Sequence, residues 1–106
     1  MAQLRRGVLE HCVLALLEHD ERYGYDLVTE LSEAGLVASE GTIYPLLSRL
    51  RKEDLVSTSW RESPSGPPRR YYSLTGSGRT ALADFRTSWG ELKRSVDDIL
   101  QREEAR

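Results

Sequence analysis

The sequence has little of what secreted, membrane-spanning or disordered proteins need. It contains one cysteine, Cys12, so no disulfide can form within the chain. Its longest apolar run covers only residues 13–17, far short of the roughly 20 residues of a membrane span, and the N-terminus lacks the features of a secretory signal. These absences favour a cytoplasmic protein without membrane contact. The 106 residues, of which 30% are charged, predict one small folded unit.

Side-chain sets that could catalyse a reaction or bind a metal within one chain are also missing. His11 and His19 would lie roughly 12 Å apart along a helix, too far to share an ion, and Cys12 lies on the apolar side of that helix. No combination of nucleophile, base and acid is present. We therefore expect no enzyme, no cofactor and no metal site. A site shared between two subunits stays open, and with it a metal-responsive regulator.

The net charge is close to zero, but the charges are unevenly distributed. Residues 1–38 have three arginines against seven acidic residues, whereas residues 39–72 have six basic residues against four acidic ones. Residues 73–106 have six of each sign. The positive surplus in the middle third indicates that this segment binds an anionic partner, which the net charge of the whole chain does not suggest.

Apolar residues at helical spacing predict three short helices in the first half of the chain. The first covers residues 4–17, and the second begins near Tyr23 and ends at Gly35. The third, capped by Ser39 or Thr42, begins near residue 41 or 42, because Pro45 is acceptable only in the first turn. Its predicted buried face consists of Ile43, Leu46, Leu47 and Leu50.

Two alternating segments after the third helix predict a two-stranded antiparallel ribbon. They cover residues 55–62 and 69–74, and Trp60 is expected to pack the ribbon onto the first helix. Residues 63–68 (SPSGPP) are turn-forming but too many for a two-residue hairpin turn, so we expect a protruding loop.

The last segment has a heptad pattern, with apolar residues separated alternately by three and four positions. The seam is formed by Leu82, Phe85, Trp89, Leu92, Val96 and Ile99. Such a seam prefers a second helix of the same kind, and the chain has only one. We therefore predict a homodimer in which residues 76–106 form the dimerisation helix and residues 1–75 form the other domain, within a single structural unit.

This order of elements is that of a winged helix-turn-helix, a mainly α fold with a small β-hairpin. In this fold the third helix enters the major groove of DNA and the hairpin reaches the backbone. No acidic residue lies between Thr42 and Lys52. The residues predicted to contact double-stranded DNA are Tyr23, Ser39, Thr42, Tyr44, Pro45, Ser48, Arg49, Lys52, Arg69 and Arg70.

Residue chemistry suggests a division of roles among these positions. Ser48 and Arg49 are candidates for base edges, and Thr42, Tyr44 and Lys52 suit phosphates or thymine methyl groups. Two questions stay open at this point. Arg69 and Arg70 either contact the DNA backbone or anchor the hairpin, and Tyr23 either donates its hydroxyl to a phosphate or packs.

Three stretches of the sequence resemble the PadR family of bacterial transcriptional regulators. They are residues 23–27 (YGYDL), residues 41–50 (GTIYPLLSRL), which are the most specific, and residues 70–75 (RYYSLT) with Gly78. The resemblance covers nearly the whole chain and implies a repressor whose dimer binds a palindromic promoter site and is released by a signal. The single helix after the hairpin is typical of the short members.

The resemblance also suggests an effector site. In some multidrug-responsive relatives, a tryptophan on the last helix lines a pore at the dimer interface and stacks on planar aromatic compounds. Trp89 lies at the matching distance from Thr75, and Phe85 lies one turn before it, so both are candidate effector-binding residues. The alternative for Trp89 is a residue of the dimer core alone. An alternative for the whole protein is a protein-interaction adaptor, which the acidic residues 1–38 support.

Overall fold

The computed structural model describes residues 2–36 and 39–104, which form four helices and a three-stranded antiparallel sheet. In chain order the elements are α1 (Ala2–Leu16), β1 (Arg22–Tyr23), α2 (Gly24–Glu33), α3 (Glu40–Lys52), β2 (Val56–Ser63), β3 (Gly66–Leu74) and α4 (Gly76–Glu104). This arrangement confirms the predicted winged helix-turn-helix with a long C-terminal helix. The last two residues of the predicted dimerisation segment, 105–106, lie outside the described residues.

The sheet contains one strand that the sequence did not predict. β1 pairs with β3 through Arg22 with Tyr72 and Tyr23 with Tyr71, so the strand order is β1-β3-β2. A two-residue strand is too short to show an alternating pattern. β1 fastens the start of α2 to the β2–β3 hairpin, which we call the wing.

The ends of α2 and α3 follow local backbone chemistry. Gly35 adopts a φ of 82°, a left-handed conformation that suits glycine just after a helix, as predicted. The Ser39 hydroxyl accepts a hydrogen bond from the Thr42 backbone N–H at 3.3 Å and caps α3. Because α3 begins at Glu40, Pro45 lies in the second turn, so its expected place in the first turn was wrong. Gly41 is exposed, and water can therefore satisfy the carbonyl that Pro45 leaves without a donor.

The hydrophobic core lies where the first three helices meet the sheet and the beginning of α4. Its largest fully buried side chains are Leu14, Leu17, Leu27, Leu31, Ile43, Leu47 and Leu50. The predicted inner face of α3 is buried throughout. Each aliphatic side chain of this size contributes about 2 kcal/mol on burial. Burial of this face fixes which side of α3 is turned outward.

The wing is a tighter hairpin than expected. Ser63 pairs with Gly66, so only two residues form the turn, and β3 includes the two prolines that follow Gly66. The prediction of a six-residue loop was wrong because the ladder continues to Ser63 through an irregularity, in which Pro67 and Pro68 of β3 stand opposite the single residue Glu62 of β2. Prolines are tolerated there because β1 pairs with β3 only near Tyr71 and Tyr72, which leaves this end of β3 at an edge.

α4 begins in close contact with the turn before β2. Thr75 Oγ1 donates to the Asp54 carbonyl at 2.7 Å and accepts from the Gly78 N–H at 2.9 Å. A Cβ atom at Gly78 would stand 2.1 Å from the Leu55 carbonyl oxygen, so only glycine fits this approach. The first turn of α4 is therefore fixed to the winged domain by backbone contact.

Arginines of α4 then bind the end of α1. The Arg86 guanidinium donates two hydrogen bonds to the Glu18 carboxylate, at 2.8 and 2.9 Å, and Arg79 donates to the Glu18 carbonyl at 3.1 Å. Beyond these contacts the 29-residue helix continues to a total length of about 43 Å. Within residues 2–36 and 39–104, no helix combines the length and apolarity that crossing a bilayer requires.

Candidate nucleic-acid interface

The outer face of α3 carries five of the residues assigned to DNA. Burial of the apolar face turns Thr42, Tyr44, Pro45, Ser48 and Lys52 to solvent. The helix has one acidic residue, in its first turn, and its three basic residues all lie in its last turn. Short polar groups followed by positive charge suit contacts with base edges and phosphates.

Ser39 has a structural role that the DNA assignment did not include. Its hydroxyl accepts from the Thr42 N–H and donates to Thr42 Oγ1 at 3.2 Å. Both residues are exposed. Ser39 therefore begins α3 and positions Thr42 at the edge of the outer face.

Arg49 is held by an acidic residue of α1. It forms an ion pair with Glu10, and the two side chains are only 31% and 23% exposed. The sequence had placed Arg49 on the outer face, whereas it lies at the edge of that face, where α3 meets α1. To reach a base, Arg49 has to exchange the Glu10 carboxylate for DNA.

Two arginines of the wing lie on aromatic rings. The Arg69 guanidinium carbon is 4.9 Å from the centre of the Tyr23 ring, and that of Arg70 is 4.6 Å from the Trp60 ring. A cation held against a ring face keeps N–H donors free for another partner. The Tyr23 ring also contacts the Tyr71 ring, with 5.9 Å between their centres, and this contact leaves the predicted contact of the Tyr23 hydroxyl with a phosphate open.

Trp60 is the clearest correction to the sequence analysis. It is 62% exposed and does not pack the wing onto α1. Val56 and Tyr72, nearer the base of the wing, are buried in the core, whereas Trp60 lies farther along β2, outside the core. Alternation correctly predicted its face of the ribbon, but it does not reveal where along a strand the core ends.

Four of the seven acidic residues in the segment 1–38 form ion pairs inside the chain. The pairs are Glu10 with Arg49, Glu18 with Arg86, Glu21 with Arg61, and Glu30 with Arg22 at 3.3 Å. In the part of the chain that the structure describes, no carboxylate pairs with Arg51, Lys52, Arg69 or Arg70. Four of the acids that suggested an adaptor are therefore engaged, whereas these four cations of the wing and of the end of α3 are not.

A cleft of about 410 Å³ separates the N-terminal half of α3 from the wing. Side chains on its walls include Tyr23, Tyr44, Trp60, Arg69, Arg70 and Tyr72. A Cβ at Gly24 would stand 2.9 Å from the Tyr44 ring, so glycine allows that ring to lie against the start of α2. Burial, and then the charge of Glu40, raise the pKa of Tyr44.

The predicted seam of α4 is divided between the chain's own core and solvent. Leu82 is 2% exposed and belongs to the core, which corrects its assignment to an interface with a second copy. Phe85 is half-buried. The remaining seam residues, Trp89, Leu92, Val96 and Ile99, are exposed, and so is Leu100, which the sequence analysis missed because it considered only the two seam positions of each heptad. One chain alone leaves this strip uncovered.

Three aromatic rings stack between α1 and α4. The His11 and Phe85 rings are 4.1 Å apart at an angle of 7°, and those of Phe85 and Trp89 are 6.0 Å apart at 11°. His11 Nδ1 lies 2.8 Å from the Gly7 carbonyl oxygen, which orients the imidazole. The sequence analysis considered His11 only as a metal ligand, since nothing in its spacing indicated stacking. The column of rings ends at Trp89, which is 39% exposed.

The other residues considered for metal binding are not brought together. Among residues 2–36 and 39–104, no three His, Cys, Asp or Glu residues are grouped so that they could hold a metal ion. Cys12 is half-buried, and burial raises the pKa of its thiol, which disfavours the thiolate that metals bind.

Comparison with known proteins places this chain in a family. The model of the transcriptional regulator PadR-like family matches residues 13–84. The transcriptional regulator Rv3488 of Mycobacterium tuberculosis is 35% identical over 96 residues, which cover 91% of this chain and 89% of that protein.

Among solved structures, this chain is also similar to regulators of the PadR type. A PadR-like transcription factor from Bacteroides fragilis is 47% identical, with a TM-score of 0.81 over 92% of this chain and 95% of that one. A PadR-like regulator from Bacillus cereus is 43% identical, with a TM-score of 0.85 over 93% and 97%. Bacillus subtilis PadR, solved in complex with operator DNA, is 31% identical, with a TM-score of 0.69 over 74% of this chain and 46% of that one. The chain described here therefore belongs to the PadR-like family of transcriptional regulators.

Proposed function

We propose that this regulator binds a palindromic promoter site in double-stranded DNA as a homodimer and represses transcription by occupying it. The observation that carries the proposal is a set of four cations, Arg51 and Lys52 at the end of α3 and Arg69 and Arg70 on the wing, which pair with no carboxylate among the described residues. The operator complex of the Bacillus subtilis relative supports DNA as the partner. Such a regulator acts where the chromosome is, in the cytoplasm.

The uncovered strip of α4 supports the homodimer. Its apolar residues continue the heptad pattern beyond the point where the chain's own contacts end, and a second α4 offers the complementary surface. Two copies of α3 would then enter successive major grooves about 34 Å apart, which is one turn of DNA. The DNA-binding part is residues 1–75, and residues 76–106 hold the two copies together.

The stacked column of His11, Phe85 and Trp89 supports release by a planar aromatic effector. Its exposed end lies on the same strip as the dimer contact, so a ring stacked on Trp89 would affect how the two subunits meet. A ligand can release DNA only through its different affinity for the two arrangements of the dimer.

In the proposed function, Glu10 competes with DNA for the Arg49 guanidinium. DNA phosphates and Glu10 both attract the Arg49 guanidinium, so binding has to include the loss of this ion pair if Arg49 contacts DNA. Glu10→Gln should then tighten operator binding several-fold. Thr29→Ala on α2, away from this pair, is a suitable control.

The first test is a fluorescence-anisotropy titration with DNA from upstream of the gene, in the presence of nonspecific competitor, at two salt concentrations. We expect competitor-resistant binding by two protomers per site, and weaker binding at higher salt, because cations on phosphates release counterions. Binding that is weak and indifferent to sequence would favour the adaptor.

Charge reversal on α3 tests which surface binds. Lys52→Glu should abolish operator binding without unfolding the protein, because Lys52 is exposed and unpaired. Arg94→Glu, on the side of α4 opposite the seam, changes the net charge equally and should retain binding. Equal losses in the two variants would mean that net charge, rather than this face of α3, governs the interaction.

The effector hypothesis has its own test. Planar aromatic cations and acids should release the operator complex of the wild type, and Trp89→Ala should lose this response. An unchanged response from a Trp89→Ala protein that is still dimeric would exclude Trp89 as the effector site.

A further inference from the structure

Trp60 is a large aromatic side chain that lies outside the core and was not assigned to DNA. It stands directly opposite Arg70 in the β2–β3 ladder, and the Arg70 guanidinium lies 4.6 Å from the centre of its ring. The indole is 62% exposed, although burial of a side chain of this size is normally favourable. The wing therefore presents a ring and a cation together, and both are available to a partner.

The surroundings of Trp60 favour an anionic partner. Trp60 is part of the lining of the cleft between α3 and the wing, and this lining also includes Tyr23, Tyr44, Tyr72 and Arg69. Among the described residues that line this cleft there is no carboxylate. The ordinary pKa of a tyrosine is about 10, and burial raises the pKa of Tyr44 further, so its hydroxyl is a hydrogen-bond donor at neutral pH.

We propose that this cleft receives the sugar–phosphate backbone of the DNA and that Trp60 contacts a deoxyribose there. The inference rests on the proposed function, since it concerns the duplex that the outer face of α3 faces. Arg70 and Arg69 bind the phosphates on either side of that sugar. The ring of Trp60 supplies an apolar contact with the sugar between these two phosphates.

An apolar contact with the backbone has a distinctive signature. Charged residues on phosphates contribute to the salt dependence of binding, whereas an uncharged ring on a sugar does not. Backbone contacts also carry no direct sequence information. Loss of the ring should therefore weaken operator and unrelated DNA by the same factor and leave the salt dependence nearly unchanged.

The test compares Trp60→Ala, Trp60→Phe and Arg70→Gln in the full chain, by anisotropy titrations with operator and unrelated DNA at several salt concentrations. Trp60→Ala should weaken binding to both by about fivefold to tenfold, which corresponds to a small buried apolar area. Trp60→Phe should recover most of this loss because it keeps a ring. Arg70→Gln should also reduce the salt slope by about 1.

Tryptophan fluorescence provides an independent measurement of contact. DNA should protect part of the wild-type emission from acrylamide, and this protection should disappear in Trp60→Phe, in which only Trp89 emits. If the wild type binds DNA but Trp60→Ala binds equally well and acrylamide reaches Trp60 in the complex, this inference is overturned and the proposed function stands. If the wild type fails to bind DNA at all, both fail.

Discussion

The first three turns of α4 and its remaining turns have the same apolar spacing but different partners. In the first part, Leu82 is buried in the chain's own core, Gly78 touches the backbone before β2, and Arg86 binds Glu18 of the preceding domain. In the second part the apolar residues are exposed, and the ion pairs, Lys93 with Asp97 and Arg102 with Asp98, stay within the helix. A heptad pattern thus predicts that a helix will be covered, but not whether by its own chain or by another.

The largest effect is expected from an added methyl group in the first part of α4. Gly78→Ala places a Cβ 2.1 Å from the Leu55 carbonyl oxygen, a backbone atom that cannot move aside cheaply. We expect a loss of about 4 kcal/mol or more in the free energy of unfolding, measured by urea denaturation at fixed protein concentration.

Gly90→Ala is the matched variant in the second part of the helix. A Cβ there meets only the end of the flexible Arg94 side chain, at 3.6 Å. Alanine should therefore stabilise the helix by up to about 1 kcal/mol. Similar losses from the two variants would show that both parts of α4 are packed against the chain's own domain.

Truncating one leucine in each part of α4 distinguishes the two parts, because the loss of stability should depend on protein concentration in only one of them. Leu82→Ala leaves a cavity in the core and should cost about 3 kcal/mol at every protein concentration. Leu92→Ala removes an exposed side chain, so it should weaken the proposed dimer and leave the monomer unchanged. Urea denaturation over a wide range of concentrations, with sedimentation to follow association, checks both. A concentration-independent loss in Leu92→Ala would contradict the assignment of Leu92 to a second copy.

Sequence patterns predicted the helices and strands of this fold better than they predicted which of them pack against each other. The order of helices and strands, the buried face of α3 and the cap at Ser39 follow from periodicity and local hydrogen bonding, which a sequence displays directly. Trp60, Leu82 and the Glu10–Arg49 pair could not be placed in this way, because each depends on which element lies across from it. The hairpin turn was misjudged for a different reason, since two residues of β3 stand opposite one residue of β2 near the turn, and turn-forming composition does not reveal such a change of register.

The smallest effect concerns the ion pair that joins the first part of α4 to α1. The bidentate hydrogen bond from Arg86 holds the pKa of Glu18 below its ordinary value of 4.5. A carboxylate with a lowered pKa stabilises the folded state above its ordinary pKa, and this stabilisation disappears as the pH falls through the lowered value. Glu18→Gln should therefore lower the melting temperature slightly at pH 7 and not at all at a pH where Glu18 is protonated in the wild type.

Melting curves recorded from pH 7 down to the lowest pH at which the protein is folded check this predicted pH dependence. Glu33→Gln, at an exposed carboxylate of α2, is the control and should match the wild type throughout. The expected result is two curves for Glu18→Gln and wild type that converge on acidification, because protonation removes the same charge that the substitution removes. A gap that persists in acid would mean that the glutamine disturbs packing at the end of α1, and the attachment of α4 would then depend on shape rather than on charge.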